Sequence, residues 1–486
     1  MRNFKSYITA AAIGAMVLTS VSCQKSFYTK ANNNPNSPKS VPNGTLLSGI
    51  EVSLGYIEGG DFSRFACMFT QQIVGYSRQS AAYFQYIFTN QDPETAWDNI
   101  YDDVMANSYQ LMMQAQQGGN HEYYGMGEIM MAYGLMRTVD MWGNIPYSQA
   151  FRGVASPTPV YDVDKALYDT VRALCYRGIN NMNPALDATD LYSPDPSNAK
   201  YDNLGSDVMY HGAGAQWVKF AHAILARLYI HQTKHSNVAM CDSALAHVAL
   251  SFTSNADNAL VTFGTASNNN APWFQFDQQR GDISFYDNWF TNSGLTVFAD
   301  SMSRTGDPRL ILQMDSSAEI NYADVALDGF GTGYGYSGQG NSPVDFIDYA
   351  ELQFIGAEAT LRSVGVGAVA NNFYVNGINA DISKLTTAEP GVITPAQIAT
   401  FLAGPQGSIL TLTAPQAIIQ NAWQENLALY LNPESFTLWR RCNWNIIPVT
   451  GSAVPRRFLY PQSEINLNTA NVPAATQYSP VVFWDN

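Results

Sequence analysis

Two apolar-periodic runs separated by a pair of glycines constrain the fold of this chain more than any other feature. From Trp97 to Gln117, the residues Trp97, Ile100, Tyr101, Val104, Ser108, Leu111, Met112 and Ala115 recur at the spacing of one helix face. Gly118-Gly119 stops the run. A second run, from about Tyr123 to Val139, repeats the pattern with Ile129, Ala132, Tyr133 and Met136. Two helices of this length joined by a short Gly turn form an antiparallel hairpin that still has an apolar face to bury.

The same period returns at Asp164–Asn183, Gln216–Lys234, Val238–Leu250, Tyr349–Arg362, Val364–Val375, Gln416–Leu431 and Pro433–Arg441. It also marks Leu46, Ile50 and Leu54, and the stretch Phe62–Tyr76. Alternating helices of this size predict a mainly α chain of stacked helical hairpins, each pair covering the next. No copy matches the tetratricopeptide consensus, so the likeness to that repeat is geometric. Thr253–Asp348 breaks the pattern and reads as a long loop-rich insert, of a length that is usually functional. Ser77–Thr89, rich in Tyr and Phe, reads as a loop with several exposed rings.

The N-terminus reads as a targeting segment. Arg2 and Lys5 precede the uncharged apolar run Tyr7–Thr19, which is too short for a dependable membrane span. Ser20 and Ser22 then lead into Cys23. A cysteine at the cleavage point implies a signal peptide over residues 1–22, lipid attachment at Cys23, and anchoring by acyl chains such as palmitate. Gln24–Pro42, rich in Asn, Pro, Ser and Lys, reads as a flexible tether, so residues 23–42 precede one helical domain over 43–486.

Composition narrows the function. Charged residues make up 13% of the 486, against about 25% in an average soluble protein. Net charge is −15, which argues against nucleic acid or an anionic lipid surface as partner. The 28 Tyr and 9 Trp, set among Asn and Gln, suit neutral polar ligands held by stacking and hydrogen bonds. Cys67, Cys175, Cys241 and Cys442 form no CxxC pair. They read as buried free thiols, with a disulfide open to an exported chain.

Catalytic and metal patterns are sparse. His231 and His235 stand four apart on a helix, a chelating spacing, but no HExxH or third ligand accompanies them, and a solvated helix end is the expected reading. Gly333–Gly338 matches GxGxxG by letter without the strand and helix that a dinucleotide site needs. Asp102-Asp103 falls on the polar side of its helix. Loop Asp and Asn leave room for a structural calcium ion, though no EF-hand pattern occurs. No cofactor or catalytic residue is expected.

Towards the C-terminus the residues become distinctive: QENLALYLNPESFTLWRRCNWN from Gln424, then VPRRFLYPQSEINLNTANV from Val454. With NNNPNSP, VDMWGNIPYSQAF, SRTGDPRL, and YAELQFIGAEATLR leading to FYVNGINADI, the chain resembles the SusD/RagB family of outer-membrane nutrient-binding lipoproteins, most closely its SusD-like branch in Bacteroidota. The resemblance spans essentially the whole mature chain. It implies a mainly helical fold with about four tetratricopeptide-like units and a loop-rich ligand face. It implies a lipid-anchored outer-membrane protein facing the cell exterior, with a SusC-like TonB-dependent transporter as partner. Such a protein captures oligosaccharides or, alternatively, peptides, and is not usually catalytic; a surface glycan hydrolase is the remaining alternative.

Sugar rings stack on Trp and Tyr while their hydroxyls meet Asn, Gln and Asp. The expected ligand contacts are therefore rings outside the main helical pattern: Tyr83, Tyr86, Trp273, Phe276, Tyr286, Trp289, Tyr334 and Tyr336, with Asp282 and Asn288 as hydrogen-bonding neighbours. Trp97, Trp217 and Trp423 lie on helix faces and are expected in the core. Arg440, Arg441, Arg456 and Arg457 are expected to pair with carboxylates.

Overall fold

Helix α5, His121–Trp142, is almost wholly buried and anchors the architecture. It begins where the Asn120 side chain accepts from the Tyr123 N–H, and ends at Gly143 with φ 77°. The computed structural model of the chain describes residues 41–75, 78–183, 206–234, 238–279, 283–284, 297–313, 336–451 and 453–486. Asn43–Asn486 forms one unit, separate from Met1–Pro42.

Before α5 come α1 (Asn43–Ile57), α2 (Ser63–Phe69), α3 (Arg78–Phe84) and α4 (Asn107–Gly118). After it come α6 (Asp164–Asn181), α7 (Gly214–His231), α8 (Val238–Val248), α9 (Pro272–Gln279), α10 (Tyr349–Ser363), α11 (Ala368–Ala388), α12 (Ala414–Ala428) and α13 (Glu434–Cys442). The long helices pack in sequence, α4 on α5, α5 on α6, α6 on α7, α7 on α8, α8 on α10, α10 on α11 and α12. This succession of packed helices is the expected tetratricopeptide-like arrangement, and the fold is mainly helical. Gly119, with φ 70°, closes the first hairpin in the left-handed conformation that favours glycine. Gly178 lets α6 approach α5: a Cβ there would lie 2.6 Å from Ile129 Cγ1. No described helix is long and apolar enough to cross a membrane.

The described residues of the insert hold regular structure that the sequence pattern does not show. Strand β4 (Ala259–Thr262) pairs antiparallel with β6 (Pro343–Ile347), joining its two ends. Within it lie α9 and the short helices Val297–Thr305 and Leu310–Gln313. Two further two-stranded sheets occur, β1 (Val74–Gly75) with β5 (Ile283–Ser284), and β2 (Ile145–Pro146) with β3 (Tyr161–Asp162). The helix expected over Phe62–Tyr76 stops at Phe69, and Val74–Gly75 is strand. Ser77–Thr89 is also not the exposed loop its composition suggests. Arg78–Phe84 is helical, and Tyr83, Phe84 and Tyr86 are buried against Phe65, Phe69 and Phe88. Its rings are core because seven residues are enough for one amphipathic turn pair, too few to show a period.

The core is crossed by buried charge. Arg137 donates to both oxygens of Glu58 (3.1 and 3.0 Å), to Glu434 (2.6 Å) and to the Asn432 side chain. Arg227 grips Glu351 through two 2.6 Å bonds, and Arg441 pairs with Glu358 and Glu425. Of the four C-terminal arginines, Arg441 and Arg456 do pair with carboxylates, Arg456 with Asp485. Arg440 instead donates to the Asp140 carbonyl and lies over Phe436 and Trp484, and Arg457 donates to the Phe458 and Pro480 carbonyls. Trp97 and Trp217 are buried as expected, Trp423 partly so. Cys67, Cys175, Cys241 and Cys442 are free; burial pushes the Cys67 and Cys442 thiols up to about 12, which keeps them unreactive.

Candidate functional site

A cleft of about 490 Å³ opens where the end of α1, the start of α2, α3, the helix Glu94–Asn99 and α9 meet. Its floor depends on a helical fault. Glu58–Phe62 is π-helical, and Gly60 at φ −105°, ψ −116° breaks the run between α1 and α2. Such faults re-aim side chains and recur at functional sites. Just after the fault, Asp61 and Arg64 form an ion pair at 2.7 Å.

The Arg64 guanidinium lies among three rings, 5.1 Å from Phe65, 5.3 Å from Tyr83 and 5.0 Å from Phe276. Cation–π contact holds its plane in place. Tyr83 donates to Asp92 Oδ1 (2.9 Å), and Asp92 Oδ2 accepts from the Thr89 N–H and hydroxyl. Burial, and then the Asp92 carboxylate, push the Tyr83 hydroxyl pKa up, so it stays a neutral donor. Gln79, Gln91, Asn99 and Gln275 add amide groups to the walls, and Ile57, Pro272 and Phe276 add apolar surface. Asp61 is held by Arg64 and Asp92 by three hydrogen bonds, so the cleft is arranged to hold a ligand by stacking and hydrogen bonding.

The expected contacts divide. Tyr83 and Phe276 line this cleft, Tyr83 buried and Phe276 half-buried. Tyr86 is buried and does not line it. Trp273 is buried, donates to the Ser63 hydroxyl, and with Tyr336 borders a separate, smaller cavity of about 40 Å³ lined also by Lys384. Tyr336 there donates to Asp345. Asp282, Tyr286, Asn288, Trp289, Tyr334 and Cys23 lie outside the described residues. Arg64, Asp61 and Asp92 were missed by sequence reasoning; the glycine pair Gly59-Gly60, set between Glu58 and Asp61, is the signal that marks this fault. Another cleft, of about 380 Å³, is walled by Trp97, Tyr101 and Phe151 with Asp98, Asp102 and Glu464.

His231 is not at a solvated helix end. It is fully buried, one ring nitrogen 2.8 Å from Glu434 and the other 2.8 Å from the Tyr168 hydroxyl, which donates to Asp140. Ligand atoms of Asp140, His231 and Glu434 fall within 4.8 Å of one another, a spacing compatible with a metal. The surroundings oppose one: both imidazole nitrogens are engaged, and the guanidinium groups of Arg137 and Arg227 already neutralise Glu434. Its partner in the sequence motif, His235, lies outside the described residues.

A family model described as starch-binding and associating with the outer membrane matches residues 35–461. No curated protein matches the chain in sequence. A solved SusD/RagB family protein from Bacteroides thetaiotaomicron is 21% identical, with a TM-score of 0.72 over 92% of this chain and 99% of that one. A SusD homologue from Bacteroides fragilis gives 20% and 0.71 over 92% and 99%. A chitin-binding SusD homologue from Flavobacterium johnsoniae gives 18% and 0.69 over 92% and 95%. Identities this low speak for the fold, whereas the family model covers most of the sequence. The chain belongs to the SusD-like family, whose members are described as binding starch and associating with the outer membrane.

Proposed function

We propose that this protein is a surface-exposed outer-membrane lipoprotein, anchored by acyl chains on Cys23, that captures nutrient oligosaccharides and delivers them to a SusC-like TonB-dependent transporter. It works by binding, without turning its ligand over. The observation that carries this reading is the cleft at Arg64, where aromatic surface at Phe276 adjoins a wall of amides and few free charges. That mixture matches a sugar, whose C–H faces are apolar and whose rim is all hydroxyl. The family's description as starch-binding and the chitin-binding relative agree with a glycan as cargo. On this reading the stretch Gln24–Pro42, rich in Asn, Pro, Ser and Lys, serves as the spacer after the acyl anchor.

Affinity purification of the C-terminally tagged chain from native outer membranes, followed by mass spectrometry, tests the transporter arm. A stoichiometric large β-barrel receptor is expected. Recovery of the chain alone, with the receptor shown to be expressed, would overturn it. Calorimetry of the purified chain against a panel of neutral oligosaccharides tests the capture arm, with Thr95→Trp filling the cleft from an exposed helix position. Binding that the substitution abolishes is expected.

A further inference from the structure

The cleft of about 380 Å³ at Trp97 shares one helix with the cleft at Arg64. Of Glu94–Asn99, Thr95, Ala96 and Asn99 line the cleft at Arg64, and Trp97 and Asp98 line this one. The chain then runs π-helically from Ile100 to Ala106, and Tyr101, Asp102 and Ala106 continue the wall. The loop that follows α5 adds mostly apolar surface: Pro146, Ala150, Phe151, Pro157 and Pro159. Phe151 sits at φ 62°, a region bulky residues rarely enter, with its ring 5.7 Å from Tyr109 and 6.3 Å from Tyr101.

This apolar groove carries three carboxylates and, among its described lining residues, no cation. Asp98 and Asp102 are exposed and held by no ion pair among the described residues. Glu464 accepts from the Tyr161 hydroxyl at 2.8 Å, a neutral partner. Arg152, next to Phe151, donates to the Ser148 carbonyl and does not line the cleft. Burial, and then Glu94, Asp102 and Glu464, raise the Asp98 pKa, as like charges without an offset do. The three acids stand too far apart to share one metal ion: among the described residues only Asp140, His231 and Glu434 come within that range. A sugar hydroxyl donates to one carboxylate but leaves the repulsion among them in place. A guanidinium or ammonium group donates, offsets the charge and packs on aromatic faces such as those of Tyr101 and Phe151.

The surface around the cleft separates a free cation from one carried by a protein. Val154, 100% exposed, stands between the lining residues Gly153 and Ser156, and Leu467, 77% exposed, ends the helix that carries Glu464. Asn468 and Asn471 donate to the Pro159 and Thr158 carbonyls, so that helix end lies beside the loop. A free cation leaves these apolar side chains in water, whereas a protein segment covers them as it places its charge. We propose that this face docks a segment of another protein in which an arginine or lysine, flanked by apolar side chains, enters the cleft between the carboxylates. The proposal is independent of the glycan reading of the cleft at Arg64.

A heptapeptide library displayed on phage is panned against the purified intact chain in detergent, and the most enriched peptide is made with blocked ends. Arginine or lysine beside apolar residues is expected in it. By calorimetry it should bind at least about tenfold more tightly than the same peptide with citrulline for arginine, or acetyllysine for lysine, which keep the shape and lose the charge. Asp98→Asn combined with Asp102→Asn should weaken it by at least about tenfold as well. Asp169→Asn combined with Asp242→Asn, at exposed positions on α6 and α8, should leave it unchanged. Equal losses in the two double variants would mean that the peptide senses the net charge of the chain, and the proposal falls. It falls too if no peptide is enriched, if enriched peptides lack basic residues, or if the neutral analogue binds equally. Agmatine binding as tightly as the peptide would make this a site for a free cation, and displacement of the peptide by a β-1,4-linked glucose hexamer would put a sugar in it; either result overturns the docking of a protein segment. All of these outcomes leave the cleft at Arg64 to be judged by Thr95→Trp alone.

Discussion

Arg137 and Arg64 are both buried guanidinium groups, and they are satisfied in opposite ways. Arg137 donates to Glu58, Glu434, Asn432 and Tyr133, and every one of those partners belongs to the interior. Arg64 has one carboxylate, itself 28% exposed on its side chain, and a buried Nε–H with no acceptor among the described residues. The first arrangement joins α5 to the π-turn after α1 and to α13, segments far apart in sequence. A closed network of this kind fixes how segments meet and leaves nothing for a ligand. The second places a guanidinium in the wall of a cleft, with a carboxylate partner that water also reaches. Burial alone therefore does not separate structural from functional charge; what sets Arg64 apart is that it lines an open cleft, whereas Arg137 does not.

The sharpest way to break this comparison is to remove a carboxylate from the closed network. Glu434→Gln keeps the shape but strips the charge that Arg137 and His231 face, and Arg227 approaches to 3.6 Å. Breaking a buried pair this way costs about 3–5 kcal/mol. Urea denaturation should show that loss with an unchanged m-value, while glycan affinity of the folded fraction stays at the wild-type level. A loss under about 1 kcal/mol would mean that the network is no more structural than a surface pair.

Proton titration gives a smaller and more selective probe. Burial opposes ionisation of Glu358, but Arg441 and Arg362 outweigh it and hold the carboxyl down at about 2. A depressed carboxyl stabilises the fold above its unfolded value near 4.5, and that contribution is lost as pH falls from there towards 2. The stability gap between wild type and Glu358→Gln should thus be constant above about pH 5 and shrink below it, by on the order of 1–3 kcal/mol. His231 runs the other way. Burial would lower its pKa, but Glu434 and Asp140 raise it. Its stabilising charge is fully present below about 6.5 and lost as pH rises through the raised folded value. The gap to His231→Asn should narrow on the alkaline side, and a gap that widens there would mean the imidazole is held neutral.

These contrasts also show what the sequence could carry. The hairpins were legible because Trp97–Gln117 and Tyr123–Val139 are long enough to display a 3.6-residue period and are punctuated by Gly118-Gly119. The closed network was not, since Glu58, Arg137, His231 and Glu434 fall in four separate helical segments and meet only after packing. The cleft was half legible. Tyr83 and Phe276 were picked out as rings, but Arg64 sits in an apolar run, SRFACMF, whose periodicity argues for core and hides a guanidinium. Tyr86 was picked by the same aromatic signal and is packing, because composition does not record which ring a neighbouring helix covers.

The smallest expected stability effect falls on the residue with the largest expected binding effect. Arg64→Met keeps the unbranched stem that lies among Phe65, Tyr83 and Phe276 and removes one unpaired buried N–H. The lost ion pair is with a carboxylate that water already reaches, so its removal leaves Asp61 solvated rather than stranded. The net change in unfolding free energy should stay within about 1 kcal/mol. The equivalent Arg137→Met strands Glu58 and part of Glu434 at 0–1% side-chain exposure and belongs with the 3–5 kcal/mol class, on the order of a buried pair broken. Side-by-side denaturation of the two variants, with glycan calorimetry on each, tests this directly. Arg64→Met should lose the glycan and keep the fold; Arg137→Met should do the reverse in whatever fraction remains folded. If the two methionine variants lose equal stability, Arg64 is as much a part of the interior as Arg137, and the contrast between a closed network and a cleft-side charge falls.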